Sequence, residues 1–468
     1  INITASCGGD GVCGTCKVIL EKGEVKETGT TQLSSDQRER GIKLACQCQL
    51  LSDLVVVVPP ASLMDVTDGH LKSLITNDEI KSAKDWRFAP PVFKLFLEIP
   101  PPHLAENSSD LNRLERELEQ NGVSGIQFSL AFIKKLPSVL REGGWAITLT
   151  LSKETGSLRL TNIEPGDTRQ RCCGLIFDIG TTGIRGELLN LNQGEVLAQA
   201  VEYNSQRKYG DDVISRISYA AKTNGLVNLN QAVITTLNKM IKDLIKHADI
   251  AIADICHVML AANTTMVQLL LGIDPKYLRL NPYVPAVSAM PPLRAGEVGL
   301  CIGVDVPVNI IPSVASYIGG DIVAGVVGTG IFQQPQTALY IDIGTNGEIV
   351  VGNCEWMIGA SCSAGPAFEG GGISHGMLAT SGAIDSFRID TSTGQPIITT
   401  IGGSKARGIC GAGIISATAG LLTAGIIDQK GRLQPSKSKY IRNGHDGKEF
   451  LVVGTTETET GQDIVITE

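Results

Sequence analysis

The period of apolar and polar positions changes several times along the chain, and each change marks an element. Residues 18–20 read as a short strand with a turn at Lys22 and Gly23. Residues 54–58 are an unbroken apolar run stopped by Pro59 and Pro60, as at the end of a closing strand. Residues 61–90 are polar and without period, which predicts a linker. From 92 to 99 the pattern alternates, with Phe93, Leu95, Leu97 and Ile99 on one face of a half-buried strand. Leu111, Leu114 and Leu118 then form the stripe of a helix over 109–121, with Gly122 as its stop. Residues 145–151 and 158–163 read as strands. Further on, 175–177 and 184–191 read as a hairpin. Residues 231–246 form an amphipathic helix with Val233, Leu237, Ile241 and Leu244 inward. Residues 258–262 are a buried strand running into a polar turn and a helix. The expected fold is multidomain α/β and α+β. Its parts are a partial β-grasp module (1–60), a linker (61–90), a small α+β middle domain (91–170) and a larger duplicated α/β body (171–468).

Composition narrows the class. A length of 468 residues with 43% hydrophobic content and 53 glycines suits a globular α/β protein of about two to four domains. A net charge of −8 offers no basic patch for nucleic acid. No apolar run reaches the ~18 residues of a membrane span, and no signal peptide is visible behind Ile1. Twelve cysteines in so long a chain are too few for a disulfide scaffold, so a reducing cytoplasm is the expected location.

Four of those cysteines have ligand spacing. Cys7-Gly-Gly-Asp-Gly-Val-Cys13-Gly-Thr-Cys16 is followed by Cys46, giving C-x5-C-x2-C-x29-C. Three thiolates on one loop and a fourth at a distance is the arrangement of a [2Fe–2S] site. Gly8, Gly9, Gly11 and Gly14 let the backbone wrap the cluster and aim N–H groups at its sulfurs. Zinc would more often need a second C-x2–4-C knuckle, and Cys46-Gln-Cys48 is too short for one. Cys48 therefore reads as an ordinary thiol. Ser34 to Gln37 reads as a capping-box start of a short helix. Only six residues precede Cys7, so the chain reads as a fragment at its N-terminus.

The body contains one motif twice. Leu175-Ile-Phe-Asp-Ile-Gly-Thr-Thr-Gly183 returns as Leu339-Tyr-Ile-Asp-Ile-Gly-Thr-Asn-Gly347. Each strand delivers a carboxylate, Asp178 or Asp342, to its C-terminal end, where it can hold a hydrated Mg²⁺. Gly180 and Gly183, and Gly344 and Gly347, let backbone N–H groups approach a phosphate. Thr181, Thr182, Thr345 and Asn346 add side-chain donors. The turn at Asn263 and Thr264 opens a helix that is either an anion site or simply N-capped. Asp321, in Gly319-Gly-Asp321, could bind the metal through water, act on the attacking water, or serve as an N-cap-like residue. Asp212 and Arg216 could face the nucleotide or cap a helix. Glu369, among the glycines of 362–372, could reach nucleotide or metal. Gly411 and Gly413 precede an apolar helix through 424 and suit phosphate or ribose approach, outside any G-x-G-x-x-G fingerprint. His375 reads as a hydrogen-bonding residue rather than a cobalt ligand. Cys410 lacks a cysteine partner.

The doublet resembles the phosphate loops of the acetate kinase, sugar kinase, Hsp70 and actin superfamily. Together with the cysteines and the segments 204–217 and 362–372, the chain resembles the ATP-dependent reductive activators of corrinoid proteins. The longer first cysteine gap is known in that group too. The resemblance implies an actin-like ATPase body, bound ATP and Mg²⁺, and a [2Fe–2S] cluster on Cys7, Cys13, Cys16 and Cys46. It implies one-electron reduction of a Co(II) corrinoid protein to Co(I), fed by a low-potential donor. The middle domain would serve spacing and dimerisation, so a homodimer is expected. Family members continue beyond residue 468 with a Gly-rich turn under the adenine, so the chain reads as truncated or its ATP site as incomplete. An activator of the 2-hydroxyacyl-CoA dehydratase type lacks a ferredoxin module, and a small-molecule kinase has no use for a cluster. A redox-sensing protein with a structural nucleotide is the alternative outside enzymes.

Overall fold

The structure, a computed structural model, describes residues 16–28, 33, 37–38, 40–58, 88–106, 108–126, 128–154, 157–363, 367, 373–390, 393–444 and 447–467. Among the described residues the N-terminal module has five short strands: β1 (Lys17–Lys22), β2 (Val25–Glu27), β3 (Ile42–Leu44), β4 (Cys48–Leu50) and β5 (Val55–Val57). Strands β3 and β5 flank β1 antiparallel, and β2 pairs with β4. Gly23 takes φ +97° at the β1–β2 turn, a conformation that favours glycine. Cys16, Leu33 and Leu44 form a small core. The predicted helix start at 34–37 falls mostly outside the described residues.

Residues 92–165 fold as a three-stranded antiparallel sheet of β6 (Val92–Glu98), β7 (Ala146–Glu154) and β8 (Ser157–Pro165). Two helices cover one face, α1 (Asp110–Gln120) and α2 (Leu130–Glu142). Ser109 caps α1 by accepting from the Asn112 N–H, and Gly122 at φ +74° follows its end. Helix α2 is a correction to the single helix expected here. It carries Pro137 in its interior, which reads in sequence as a break. Its buried stripe of Phe132, Leu136 and Leu140 holds it on the sheet.

The first half of the body is a six-stranded sheet in the order β11-β10-β9-β12-β14-β13. Its strands are β9 (Cys173–Ile179), β10 (Gly183–Asn190), β11 (Glu195–Tyr203), β12 (Ile255–Ala262), β13 (Leu293–Arg294) and β14 (Pro307–Ile310). The hairpin β9–β10 is antiparallel, and β12 runs parallel to both β9 and β14. Helices α3 (Val213–Ala220), α4 (Gly225–Ala248), α5 (Thr264–Leu270) and α6 (Ala295–Val298) join these strands. Helix α4 buries Val233, Leu237, Met240, Ile241 and Leu244 against the sheet, as the periodicity predicts.

Helix α7 (Gly320–Thr329) leads into the second half. There β15 (Ala338–Ile343), β16 (Asn346–Gly352) and β17 (Met357–Ser363) form an antiparallel meander. A separate α+β lobe follows. It has β18 (Ala383–Ile389), β19 (Pro396–Thr400), β20 (Gly408–Ile409), α8 (Gly411–Thr423), β21 (Ile441–Gly444), β22 (Gly447–Val453) and β23 (Ile464–Thr467) around Phe387 and Phe450. The two copies of the motif are packed differently. Leu175, Phe177 and Ile179 are fully buried in the core that includes α4, whereas their counterparts Leu339, Ile341 and Ile343 are 60, 51 and 55% exposed. That difference sets an expectation for this chain. Phe177→Ala should cost about 3–5 kcal/mol in urea unfolding of the body, and Ile341→Ala less than about 1 kcal/mol. Equal losses would contradict the packing.

Candidate functional site

The site is assembled where β9, β12 and β15 end. After β9 the chain turns through Gly180, Thr181 and Thr182, and three successive carbonyls are tied back into the protein. The Asn204 side-chain amide donates to Gly180 O at 2.9 Å. The Arg216 guanidinium donates to Thr181 O. The Asn204 backbone N–H donates to Thr182 O at 2.9 Å. In a trans peptide the C=O and N–H point opposite ways. The N–H groups of Thr181, Thr182 and Gly183 therefore project away from those tethers, as an anion-binding nest requires.

Behind the loop, Arg216 is fully buried. Beyond Thr181 O it donates to Gly210 O at 2.8 Å and to Gln206 Oε1 at 3.1 Å, with Met266 Sδ at 3.2 Å. It thus faces the back of the loop, neither capping α3 nor lying on its open side. Asp212 is the N-cap of α3, accepting from the Ser215 N–H at 2.8 Å. Asn204 was not singled out in the sequence. The signal for it is a polar residue ending the long strand β11, in a position that starts a tight turn.

Two further predicted residues have their side chains engaged in the frame. Asn263 Oδ1 caps α5 through the Met266 N–H, and its Nδ2 donates to Thr181 Oγ1 at 3.2 Å. The Thr264 hydroxyl donates to Ala315 O at 2.7 Å. Both side chains hold the loop and its surroundings, and Asn263 is an N-cap, one of the two readings open from the sequence. The hydroxyls of Thr182 and Thr345 lie 3.0 Å apart and are buried, so the two glycine loops touch.

Three carboxylates approach this junction. Asp178 lies on the solvent-accessible side of β9, and Asp342 occupies the equivalent position on β15. Asp321 is in the first turn of α7, whose N-cap is Gly319 rather than Asp321. Burial, with some repulsion from Asp342, raises the Asp321 carboxyl to about 6. Tyr340 donates to Asp342 Oδ2 at 3.3 Å. Its phenol is pushed well above the usual value by burial and then by Asp342, with smaller contributions from Asp321 and Asp178. Tyr340 was missed in the sequence, although the other copy has Ile176 at that position, and the difference is the available signal. Among the described residues no three His, Cys, Asp or Glu side chains form a metal site on their own. Mg²⁺ ordinarily keeps several waters and takes one or two carboxylates with phosphate oxygens, and the donor set here suits that mode.

A cavity of about 330 Å³ adjoins the second loop, lined by Ile343, Met377, Leu378, Cys410, Gly411 and Ile415 among others. Gly411 starts α8 on its wall. A Cβ on Gly413 would come within 2.0 Å of Ile384 O, so this glycine lets α8 pack closely on β18. Gly347 turns beside Cys362, whose thiol donates to Gly347 O at 3.3 Å. Gly344 donates to Asn346 O at 2.9 Å, closing the second loop. Glu369 lies outside the described residues. Burial holds His375 below the usual imidazole value.

Of the cluster cysteines, Cys7 and Cys13 lie outside the described residues. Cys16 and Cys46 place their sulfurs 3.2 Å apart, and the Gln47 amide donates to Cys46 Sγ at 3.8 Å. Two thiols so close at the edge of a small core fit ligation of one metal centre. Cys48 is half-buried on β4, and burial raises its thiol. Elsewhere, Cys172 donates to Cys256 in the core where β6 meets the body, while Cys301 and Cys354 are exposed.

A ferredoxin-type cysteine module joined to a duplicated actin-like fold defines a multidomain iron–sulfur protein with a nucleotide-type body. The chain belongs to the RACo family. Family models match as the RACo linker region over residues 81–170, the RACo middle region over 173–334, and the C-terminal domain of RACo, the ASKHA domain, over 336–468. A 2Fe-2S iron-sulfur cluster binding domain matches residues 1–51. The solved structure of a "Reductive activator for corrinoid, iron-sulfur protein" is 39% identical with a TM-score of 0.78, covering 100% of this chain and 75% of that one. "Corrinoid activation enzyme RamQ" of Eubacterium limosum is 33% identical over 320 residues, 66% of this chain and 53% of the relative. The "[Co(II) methylated amine-specific corrinoid protein] reductase" of Methanosarcina barkeri is 28% identical over 298 residues, 56% of this chain and 53% of that protein. The chain thus spans about half the length of these curated relatives. No helix among the described residues is long and apolar enough to cross a membrane.

The raised Asp321 value fixes the sign of a pH effect. Its protonated form is favoured by folding, so the contribution is full below about 3.8 and is lost as pH rises through about 6. Two pK units correspond to about 3 kcal/mol. In protein free of metal and nucleotide, Asp321→Asn should melt higher than the parent above pH 7, and the difference should vanish near pH 4. A constant difference across that range would refute the assignment.

Proposed function

We propose that this chain reduces the Co(II) form of a corrinoid protein to Co(I), using nucleotide bound between its two glycine loops. The observation that carries this reading is the junction itself: paired loops in contact, with Asp178, Asp321 and Asp342 around them, in a chain that also holds the Cys16–Cys46 pair. The names of the family's relatives support the same partner class.

In this reading Cys7, Cys13, Cys16 and Cys46 hold the [2Fe–2S] cluster. Such a cluster supplies single electrons near about −400 mV, and each ~59 mV by which the cobalt couple lies lower disfavours transfer about tenfold. The body's residues must therefore change the acceptor. Asp178 and Asp342 would hold a hydrated Mg²⁺, which would neutralise phosphate charge, and Asp321 would hold a water by hydrogen bond. The amides of Thr181, Thr182 and Gly183 and the loop of Gly344, Thr345, Asn346 and Gly347 hold phosphate oxygens. A phosphate held by both loops would bear on the Thr182–Thr345 hydroxyl contact that joins them. This couples the nucleotide to the relative position of the halves, and through it to the surface offered to the corrinoid protein. Residues 91–170 act as a spacer and dimer contact, a low-potential donor supplies the electron, and the setting is the cytoplasm.

The deciding experiment mixes the protein, prepared without oxygen, with a Co(II) corrinoid protein and a reductant. Co(I) absorbance should grow only with MgATP. No Co(I) with several corrinoid proteins, despite an intact cluster and bound nucleotide, would favour a redox-sensing protein instead. Asp178→Asn should abolish partner-stimulated ATP turnover while leaving the visible cluster spectrum intact, and surviving turnover would defeat the metal assignment. Cys46→Ser should do the reverse, losing the cluster absorbance while MgATP binding, followed by calorimetry, persists.

A further inference from the structure

We infer that Arg216 is the positioning residue of the first phosphate loop, lending its positive charge to the bound phosphates through the Thr181–Thr182 peptide without touching them. This rests on the nucleotide reading above. The guanidinium is wholly buried and donates to Thr181 O, the carbonyl whose peptide plane carries the Thr182 N–H. A cation bonded to the oxygen of an amide polarises it, so the N–H at the other end becomes a stronger donor. Arg216 is itself clamped by Gly210 O and Gln206 Oε1, with Nε and Nη1 directed to different acceptors, so the fork cannot swing away. Gln206 Oε1 also accepts from the Asn204 amide at 3.2 Å, and that same amide holds Gly180 O. The neighbouring tethers are thereby locked together, and all three N–H groups keep one direction. A planar fork is needed, because one group must reach a loop carbonyl, a turn carbonyl and a side-chain oxygen at once.

The test compares Arg216→Lys and Arg216→Gln with the parent, each checked for folding by circular dichroism. Calorimetry with MgATP should give a loss of about ten- to a hundredfold for Arg216→Gln. Arg216→Lys, which keeps the charge, should recover part of it. In protein labelled with ¹⁵N-threonine, the Thr182 amide resonance should move in Arg216→Gln while that of Thr345 stays in place. A purely packing role would rank the two variants alike and leave the Thr182 resonance no more affected than Thr345, and either result overturns the inference. MgATP affinity within twofold of the parent in folded Arg216→Gln overturns it too. Should that variant not fold, Gln206→Leu removes one clamp and should weaken MgATP binding severalfold, and unchanged affinity then decides against the idea. A parent protein that binds no MgATP refutes the nucleotide reading instead.

Discussion

Everything at the junction depends on how closely one helix can approach three strands. Helix α7 begins against the end of β12, where a Cβ on Gly319 would come within 2.4 Å of Asn263 Cα. One on Gly320 would come within 2.3 Å of Ile311 O, just beyond β14. About one and a half turns on, a Cβ on Gly325 would lie 2.1 Å from the Tyr340 hydroxyl on β15. Side chains at Gly319 and Gly320 would meet backbone and push the helix off the first half, and one at Gly325 would displace the Tyr340 hydroxyl. The glycines are therefore what brings Asp321 near Asp342 and keeps the two loops within hydroxyl contact.

Much of this was legible in the sequence, for identifiable reasons. The first hairpin and the second copy of its loop were visible because a short apolar strand ends in Asp-x-Gly-Thr in both copies. Helix α4 showed itself by a long stripe, and α1 by Ser109 and Gly122. The cysteine spacing pointed to a cluster module before any fold was known. What stayed hidden depends on distant contacts. Helix α2 contains Pro137 and is held by its buried stripe rather than by propensity. The strands of the last lobe are short and lack a clear polar face. Arg216 reads in sequence as facing the nucleotide or capping a helix, and only its fit behind the loop assigns it. Gly413 belongs to a pattern that suggests ligand approach, and the structure adds that it packs α8 on Ile384, a contact distant in sequence.

The repeated motif also acquired two characters. Asp178 sits beside Ile176 and opens to solvent. Asp342 sits beside Tyr340, accepts its hydroxyl, and shares a partly buried space with Asp321. Two carboxylates of like origin in unlike surroundings can divide labour, one following solvent and the other fixed in direction. The hydrophobic backing diverged as well, with the first copy sealed under α4 and the second presenting Leu339, Ile341 and Ile343 outward.

The distribution of thiols gives the molecule built-in reporters. Cys172, Cys173, Cys256 and Cys410 are buried, so thiol-specific dyes or spin labels meet them last. Cys301 belongs to the first half and Cys354 to the turn between β16 and β17 in the second, and both are exposed. A pair of probes attached there straddles the junction. Once Cys362 is replaced, because its thiol is exposed too and lies beside Gly347, any opening or shutting of the two halves is convertible into a measured distance.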